Sequence, residues 1–377
     1  MYVSADGWIE GGLPLADGPV ALQRLRNLAA VSGLLDETTP IAPRMATEEE
    51  LTRFHTHDYV RHVREVSRAG GGEVGDGTVV GPEGYETAAL AAGAGLVAVE
   101  AVVEGRVDNA YALVRPSGRH AEAEQGLRLC VFGNVALAAL HARRSLGVSR
   151  VAIVDWAPEH GNGTEDAFYD DPTVLTISLH TDGAFPPGRG RRTHRGEGPG
   201  TGYNVNVPLP DGSGTGAYLA AIDRVVVPAL RRFAPQLTIV AAGLGANALD
   251  AVGRQLLHSE AFGEMTRRIR RALGSFGGLG PVCIHEGGAS DAYVPFCGVA
   301  VLEELCGVHV VTDPLLAELA ARPGQSMTAR QHSVIRAAEA LVPKDRRNPA
   351  ARVTPAVCRR RSASTLHGGR RRDDRVS

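Results

Sequence analysis

Two dipeptides in this 377-residue chain set groups that can move protons beside a group that can hold an anion: Arg119-His120 and Glu159-His160. Histidine titrates near neutrality and a carboxylate in a low-dielectric pocket has a raised pKa, so His120 and Glu159 are candidate acid–base groups. A guanidinium grips carboxylate or phosphate through two bonds, which makes Arg119 and Arg128 candidates for holding an anionic part of a substrate. That set suits a lyase, cyclase, isomerase or metal-free acyl transfer. The plain alternative for Arg128 is a surface charge. His141, His194, His258 and His285 have no partners at ligand spacing and read as structural. The glycine-rich stretch 70–77 lacks the strand–GxGxxG–helix setting of a nucleotide site.

The elements around these residues read as an α/β fold with one parallel sheet covered by helices on both faces. Short apolar runs at 110–114, 151–154, 174–178, 237–241 and 281–284 suit buried parallel strands. Helical patterns at 20–34, 46–68, 84–104, 131–146, 214–233, 259–273, 313–321 and 327–341 surround or separate them; residues 1–20 read as a loop. Ligands of such sheets sit at the carboxyl ends of the strands. The segments to read closely are therefore 115–120, 155–162, His180, 243–250 and 286–289.

Those strand ends carry a resemblance. RPSGRHA at 115–121 resembles RPPGHHA of the histone deacetylase and acetylpolyamine amidohydrolase superfamily, and VDWAPEHGNGT at 154–164 resembles VDWDVHHGNGT. GYNVNVPLP at 202–210 matches the family's own string, AGLGA at 242–246 stands where the family has AGFDA, and EGGA at 286–289 where it has EGGY. The similarity covers residues 20–307 and is greatest to the bacterial class II branch. It implies the arginase/deacetylase fold for residues 1–343.

The departures fall on the chemistry. The family's zinc is held by the Asp and His of DWDVH and the Asp of AGFDA; Ala157, Glu159 and Gly245 stand there. The family's histidine pair becomes Arg119 and His120, and its oxyanion-stabilising tyrosine becomes Ala289. The tunnel segment GFCxFNN becomes RLCVFGN at 128–134, so Arg128 and Leu129 replace a glycine and an aromatic wall. The expectation is a chain without catalytic zinc, in which Arg119 and Glu159 form an ion pair beside His120. The glycines and prolines of the packing motifs are kept, which favours a repurposed fold over a decaying one. Gly245, Asn247, Ala289, Arg128 and Leu129 are the expected substrate contacts, with Asp155, His160 and Asn162 supporting them. Asn162 matches the family position that hydrogen-bonds the second histidine, which offers a purely structural reading of His120. The resemblance also implies structural potassium, at Asp155, Glu159, Ser178 and Leu179 and at Phe168, Asp171, Val174 and Tyr203.

Net charge is −2, unevenly spread. Eleven basic and three acidic residues from Lys344 onward give the tail +8 and leave −10 on residues 1–343. An acidic body argues against a nucleic-acid partner, and the polar, basic stretch 344–377 is expected to be disordered. Lys344 is the only lysine. The five cysteines, Cys130, Cys283, Cys297, Cys306 and Cys358, lack CxxC spacing and read as free thiols of a cytoplasmic protein. No basic-then-apolar leader and no apolar run of about 18 residues is seen, so no membrane partner is expected. Three functions stay open: a zinc-independent enzyme acting on a small acyl- or amine-bearing metabolite, a catalytically silent protein binding a ligand or partner, and a residual metal-dependent amide deacylase. A homo-oligomer is compatible with each.

Overall fold

The computed structural model describes residues 2–4 and 19–342. The basic stretch 344–377 and Cys358 lie outside the described residues.

Among the described residues nine strands form: β1 (Tyr2–Ser4), β2 (Gly72–Glu73), β3 (Val79–Val80), β4 (Ala110–Leu113), β5 (Val151–Asp155), β6 (Val174–Thr181), β7 (Asn204–Leu209), β8 (Leu237–Ala242) and β9 (Leu279–His285). Seven make one sheet in the order β1-β4-β9-β8-β5-β6-β7, with every pairing parallel. The expected strands are all present, each with its own extension by a residue or more except β4. Three elements differ from expectation. β1 lies where a loop was expected, and the glycine-rich break folds as the antiparallel hairpin β2–β3. β7 is the GYNVNVPLP segment, whose Asn204 and Asn206 alternate with Val205 and Val207; both asparagines donate to the buried carboxylate of Glu165. A strand with such a polar stripe lacks the apolar run that marks the others.

Side-chain alternation along β5 builds two cores. Val151 and Ile153 join one apolar cluster with helices Gly84–Val103 and Asn134–Ser145, while Ala152 and Val154 face another with helices Pro19–Val31, Ser259–Gly274 and Val294–Cys306. Helix Gly84–Val103 is long and apolar enough to cross a membrane by composition, contrary to expectation, but most of it is buried within the protein. Its small residues let it lie close to the sheet: a Cβ on Gly95 would stand 3.1 Å from Ile284 Cδ1.

The helix expected over 46–68 breaks into Glu48–Leu51 and His57–Arg68, because Thr47 and Thr56 each cap a new start by accepting from a backbone N–H three residues on. The helix expected over 214–233 carries a π turn at Ile222–Val226, just before Pro228, which has no N–H to give. No disulfide joins the described cysteines.

Candidate active site

Strands β4, β9, β8 and β5 are neighbours in the sheet, so the segments after them converge. They line an open recess whose polar lining includes Arg119, His120, Arg128, Glu159, Asp250 and Glu286, with Leu129, Gly245 and Ala289 in its wall. Burial there makes each charge depend on its neighbours.

Arg119 is buried, and its closest bonds are not to Glu159. Nη1 donates to the main-chain oxygen of Glu286 at 2.5 Å, and the Arg119 backbone N–H donates to Glu286 Oε2 at 3.0 Å, joined there by Gly118 N–H at 2.8 Å. Burial disfavours the cation, but Asp155, Glu286 and Glu159 around it more than compensate and raise its pKa. The carboxyls bear the cost. Burial pushes Glu286 up to about 7 and Asp155 up to about 6, against the pull of Arg119 in both cases.

Glu159 approaches Arg119 Nη2 at 3.7 Å, within ion-pair range but beyond hydrogen-bond distance. Its tight partner is Arg128: Nη2 donates to Oε1 at 2.6 Å and Nε to Oε2 at 3.3 Å. The expected Arg119–Glu159 pair is therefore a loose arm of a larger cluster, because Glu286 and Asp155 already compensate Arg119 and Arg128 compensates Glu159. The expectation of a raised Glu159 pKa is also corrected. Burial would raise it, but His120, Arg119 and Arg128 outweigh burial and hold it at about 2. Arg128 is not a plain surface charge: its guanidinium also lies 5.0 Å from the centroid of the Phe185 ring. Arg128 and Leu129 hold φ values of 52° and 69°, a left-handed conformation that suits glycine and costs side-chain-bearing residues.

His120 sits beside this cluster, edge-on to Phe185. Asn162 Nδ2 donates to Glu122 Oε1 at 2.8 Å, so its Oδ1 accepts from His120 Nδ1 at 2.9 Å. That assignment puts the proton on Nδ1 and leaves Nε2 as a lone pair, 3.7 Å from Glu159 Oε2. His120 Nε2 is buried without a hydrogen-bond partner. Burial and the adjacent Arg119 cation lower His120 to about 4, so the ring is neutral at physiological pH.

The other expected residues divide. Asn247 is not a pocket residue: its amide donates to Leu244 O and its oxygen accepts from Leu249 N–H, shaping the turn after β8. His160 faces Ser178 and Glu165, away from the recess. Asp155 and Ser178 are register partners on β5 and β6. Asp155 Oδ1 accepts from Ala157 N–H, while Oδ2 is buried without a hydrogen-bond partner, and the Ser178 hydroxyl lies 2.9 Å from His180 Nδ1. A Cβ on Gly161 would stand 2.6 Å from Asp155 Oδ2. At the second expected cation site the Asp171 carboxylate serves Arg143 and Thr173, so only carbonyls of Phe168, Asp171, Val174 and Tyr203 remain to offer.

The positions that correspond to zinc ligands do not fit a zinc ion. Ala157 and Gly245 offer no donor, and Glu159 is bonded to the Arg128 guanidinium with that of Arg119 nearby; catalytic zinc needs three protein ligands and an open position. Elsewhere Glu50, Glu100 and His141 bring ligand atoms within 4.8 Å of one another. Arg44 binds both carboxylates and Arg53 donates to His141 Nδ1 at 2.9 Å, so this is an ion-pair network and His141 has partners that spacing did not reveal. Among the other histidines, His285 meets the Tyr111 hydroxyl and His194 faces Glu165.

Sequence reasoning missed two carboxyls. Glu286 opens the segment after β9, and only its position at a strand end signalled it. Asp250 closes the segment after β8, accepts from the backbone N–H groups of Val252, Gly253 and Ala289, and is raised by burial.

Residues 18–305 match the family model described as the histone deacetylase domain. The chain is 45% identical over 318 residues to a histone deacetylase-like amidohydrolase of Pseudomonas aeruginosa, covering 84% of each, and 35% identical over 312 residues to histone deacetylase 8 of Arabidopsis thaliana, covering 80% of this chain and 81% of that one. Among solved structures, the HDA15 HD domain matches with a TM-score of 0.78 and 29% identity over 89% of this chain and 93% of the other. With the fold, the motif order and these matches in agreement, the chain belongs to the histone deacetylase family.

Proposed function

We propose that this family member is a zinc-independent enzyme of the cytoplasm that acts on a small acyl- or amine-bearing metabolite, with His120 and Glu159 as the acid–base groups and Arg128 holding an anionic group. The observation that carries the reading is His120 Nε2: a buried lone pair with no partner, its ring fixed by Asn162 and aimed at Glu159 in a recess. A neutral imidazole so fixed is a ready general base. Arg119 is committed to Glu286, so its part is to set the field of the site, and Arg128, with its side chain 31% exposed, is the arginine a ligand can reach.

The closed Arg128–Glu159 pair favours a second reading, a protein that binds a ligand without turning it over. The deciding experiment is elemental analysis of the purified full chain together with turnover screens of amides, esters and small metabolites, with and without a chelator. Chelator-insensitive turnover that is lost in His120→Ala supports the enzyme. One zinc per chain, removed together with activity, overturns both readings in favour of metal-dependent amide deacylation.

A further inference from the structure

Arg128 offers a ligand the same face that it now offers Glu159. Nη2 and Nε contact the two carboxylate oxygens of Glu159 at 2.6 and 3.3 Å, the fork-on-carboxylate arrangement that reads a planar two-oxygen anion. The guanidinium is held independently of that partner. It stacks on Phe185 at 5.0 Å, and its backbone is fixed in a left-handed turn with Leu129. Glu159 has somewhere else to go: Arg119 Nη2 lies 3.7 Å from its Oε2, near but not bonded. Arg119 cannot play the same part, since it is buried and its Nη1 is bonded to the Glu286 main chain.

We propose that the site takes a small monocarboxylate, or a metabolite carrying one, whose two oxygens displace those of Glu159 from the Arg128 fork, and that the displaced Glu159 closes onto Arg119. Arg128 is thereby the specificity-determining residue, and ligand entry leaves the His120 Nε2 lone pair free to face the ligand. Charge favours a monoanion. The recess already holds the carboxyls of Glu159, Asp250 and Glu286, so a phosphate dianion would crowd them more than a single carboxylate that takes the place of Glu159 on Arg128. This rests on the reading of the recess as a small-molecule site, but it concerns recognition and is tested without turnover.

The test is calorimetric titration of the full chain with propionate, butyrate and inorganic phosphate. Propionate and butyrate are expected to bind and phosphate to bind at least tenfold more weakly. Arg128→Gln is expected to weaken carboxylate binding at least tenfold and Arg128→Lys to restore only part of it, since an ammonium cannot reproduce the fork. Glu159→Gln, which removes the competing charge, is expected to tighten binding severalfold. Melting curves of each variant separate lost binding from lost folding; Glu159→Gln keeps the proposal testable if Arg128 variants fail to fold. Weaker carboxylate binding in Glu159→Gln, unchanged binding in a folded Arg128→Gln, or no carboxylate binding at millimolar concentration would each overturn the proposal. Zinc-free turnover persisting in that event would leave the enzyme reading standing with a different group recognised.

Discussion

Arg119 and Glu286 hold each other twice, side chain to main chain in both directions: Arg119 Nη1 donates to Glu286 O, and the Arg119 N–H donates to Glu286 Oε2. The two residues sit just past β4 and β9, so this double clasp ties adjacent strand ends across the floor of the recess. Arg119 is a structural cation first.

That clasp sets the first expectation. Arg119→Ala leaves Asp155 and Glu286 buried without their cation, and losing one partner of a buried ionic cluster costs about 3–5 kcal/mol. Glu159→Ala should cost less, because Arg128 can turn to water. In double-mutant cycles from denaturant melts, coupling should be larger for Arg128 with Glu159, at about 1–2 kcal/mol, than for Arg119 with Glu159. A larger coupling for the second pair would put the main ion pair back where the sequence suggested.

A second expectation concerns pH. Glu286 is raised to about 7 when folded, against an ordinary glutamate value near 4.5. Between those values the unfolded chain has released the proton and the folded chain keeps it, so this group's contribution to stability falls as pH rises. Glu286→Gln cannot titrate there. The stability of Glu286→Gln relative to the natural chain should therefore increase from pH 4.5 to pH 7 and level off above. Comparing the two chains cancels the opposing trend from neutral buried His120, whose value near 4 makes the fold lose stability as pH falls from about 6.5. A flat difference across this window would mean Glu286 is ionised throughout.

A third expectation is that single restorations give no metal enzyme. Ala157→Asp supplies one carboxylate but leaves Glu159 in its arginine fork and Gly245 without a donor. Rebuilding the site would take at least Ala157→Asp, Glu159→His and Gly245→Asp, with Arg119→His and Ala289→Tyr. Zinc content and amidase activity of Ala157→Asp are the measurements, and zinc-dependent turnover from that single change would sink the assignment of ligand positions.

Removal of residues 344–377 should leave the melting temperature within about 1 °C, a shift worth under about 1 kcal/mol for a chain of this size. The core is closed before that point by Ile335, Ala338 and Val342. A large drop would show that the tail contributes to the body.

Much of this architecture was legible in the sequence because buried parallel strands advertise themselves as apolar runs and place their chemistry just past their ends. β7 was hidden by Asn204 and Asn206, whose meaning depends on Glu165 from another segment. The same limit applied at the site. His120, Arg119, Arg128 and Glu159 could be named from motif positions, but which arginine serves which carboxylate is decided by distances between loops that no spacing encodes. Glu286 was read as part of a glycine motif, and its role required seeing β4 and β9 side by side. Asn247 stood in the right segment, but its side chain turns inward to its own loop.

The ring of Pro158 bears on what position 245 can carry. Its Cγ would lie 3.2 Å from a Cβ at position 245 and 3.2 Å from one at position 253. Where the family motif has valine, the proline crowds the approach to position 245, and a side chain there would need the ring to give by a few tenths of an ångström. Positions 158 and 245 therefore share one space: what residue 245 can carry depends on the ring that faces it.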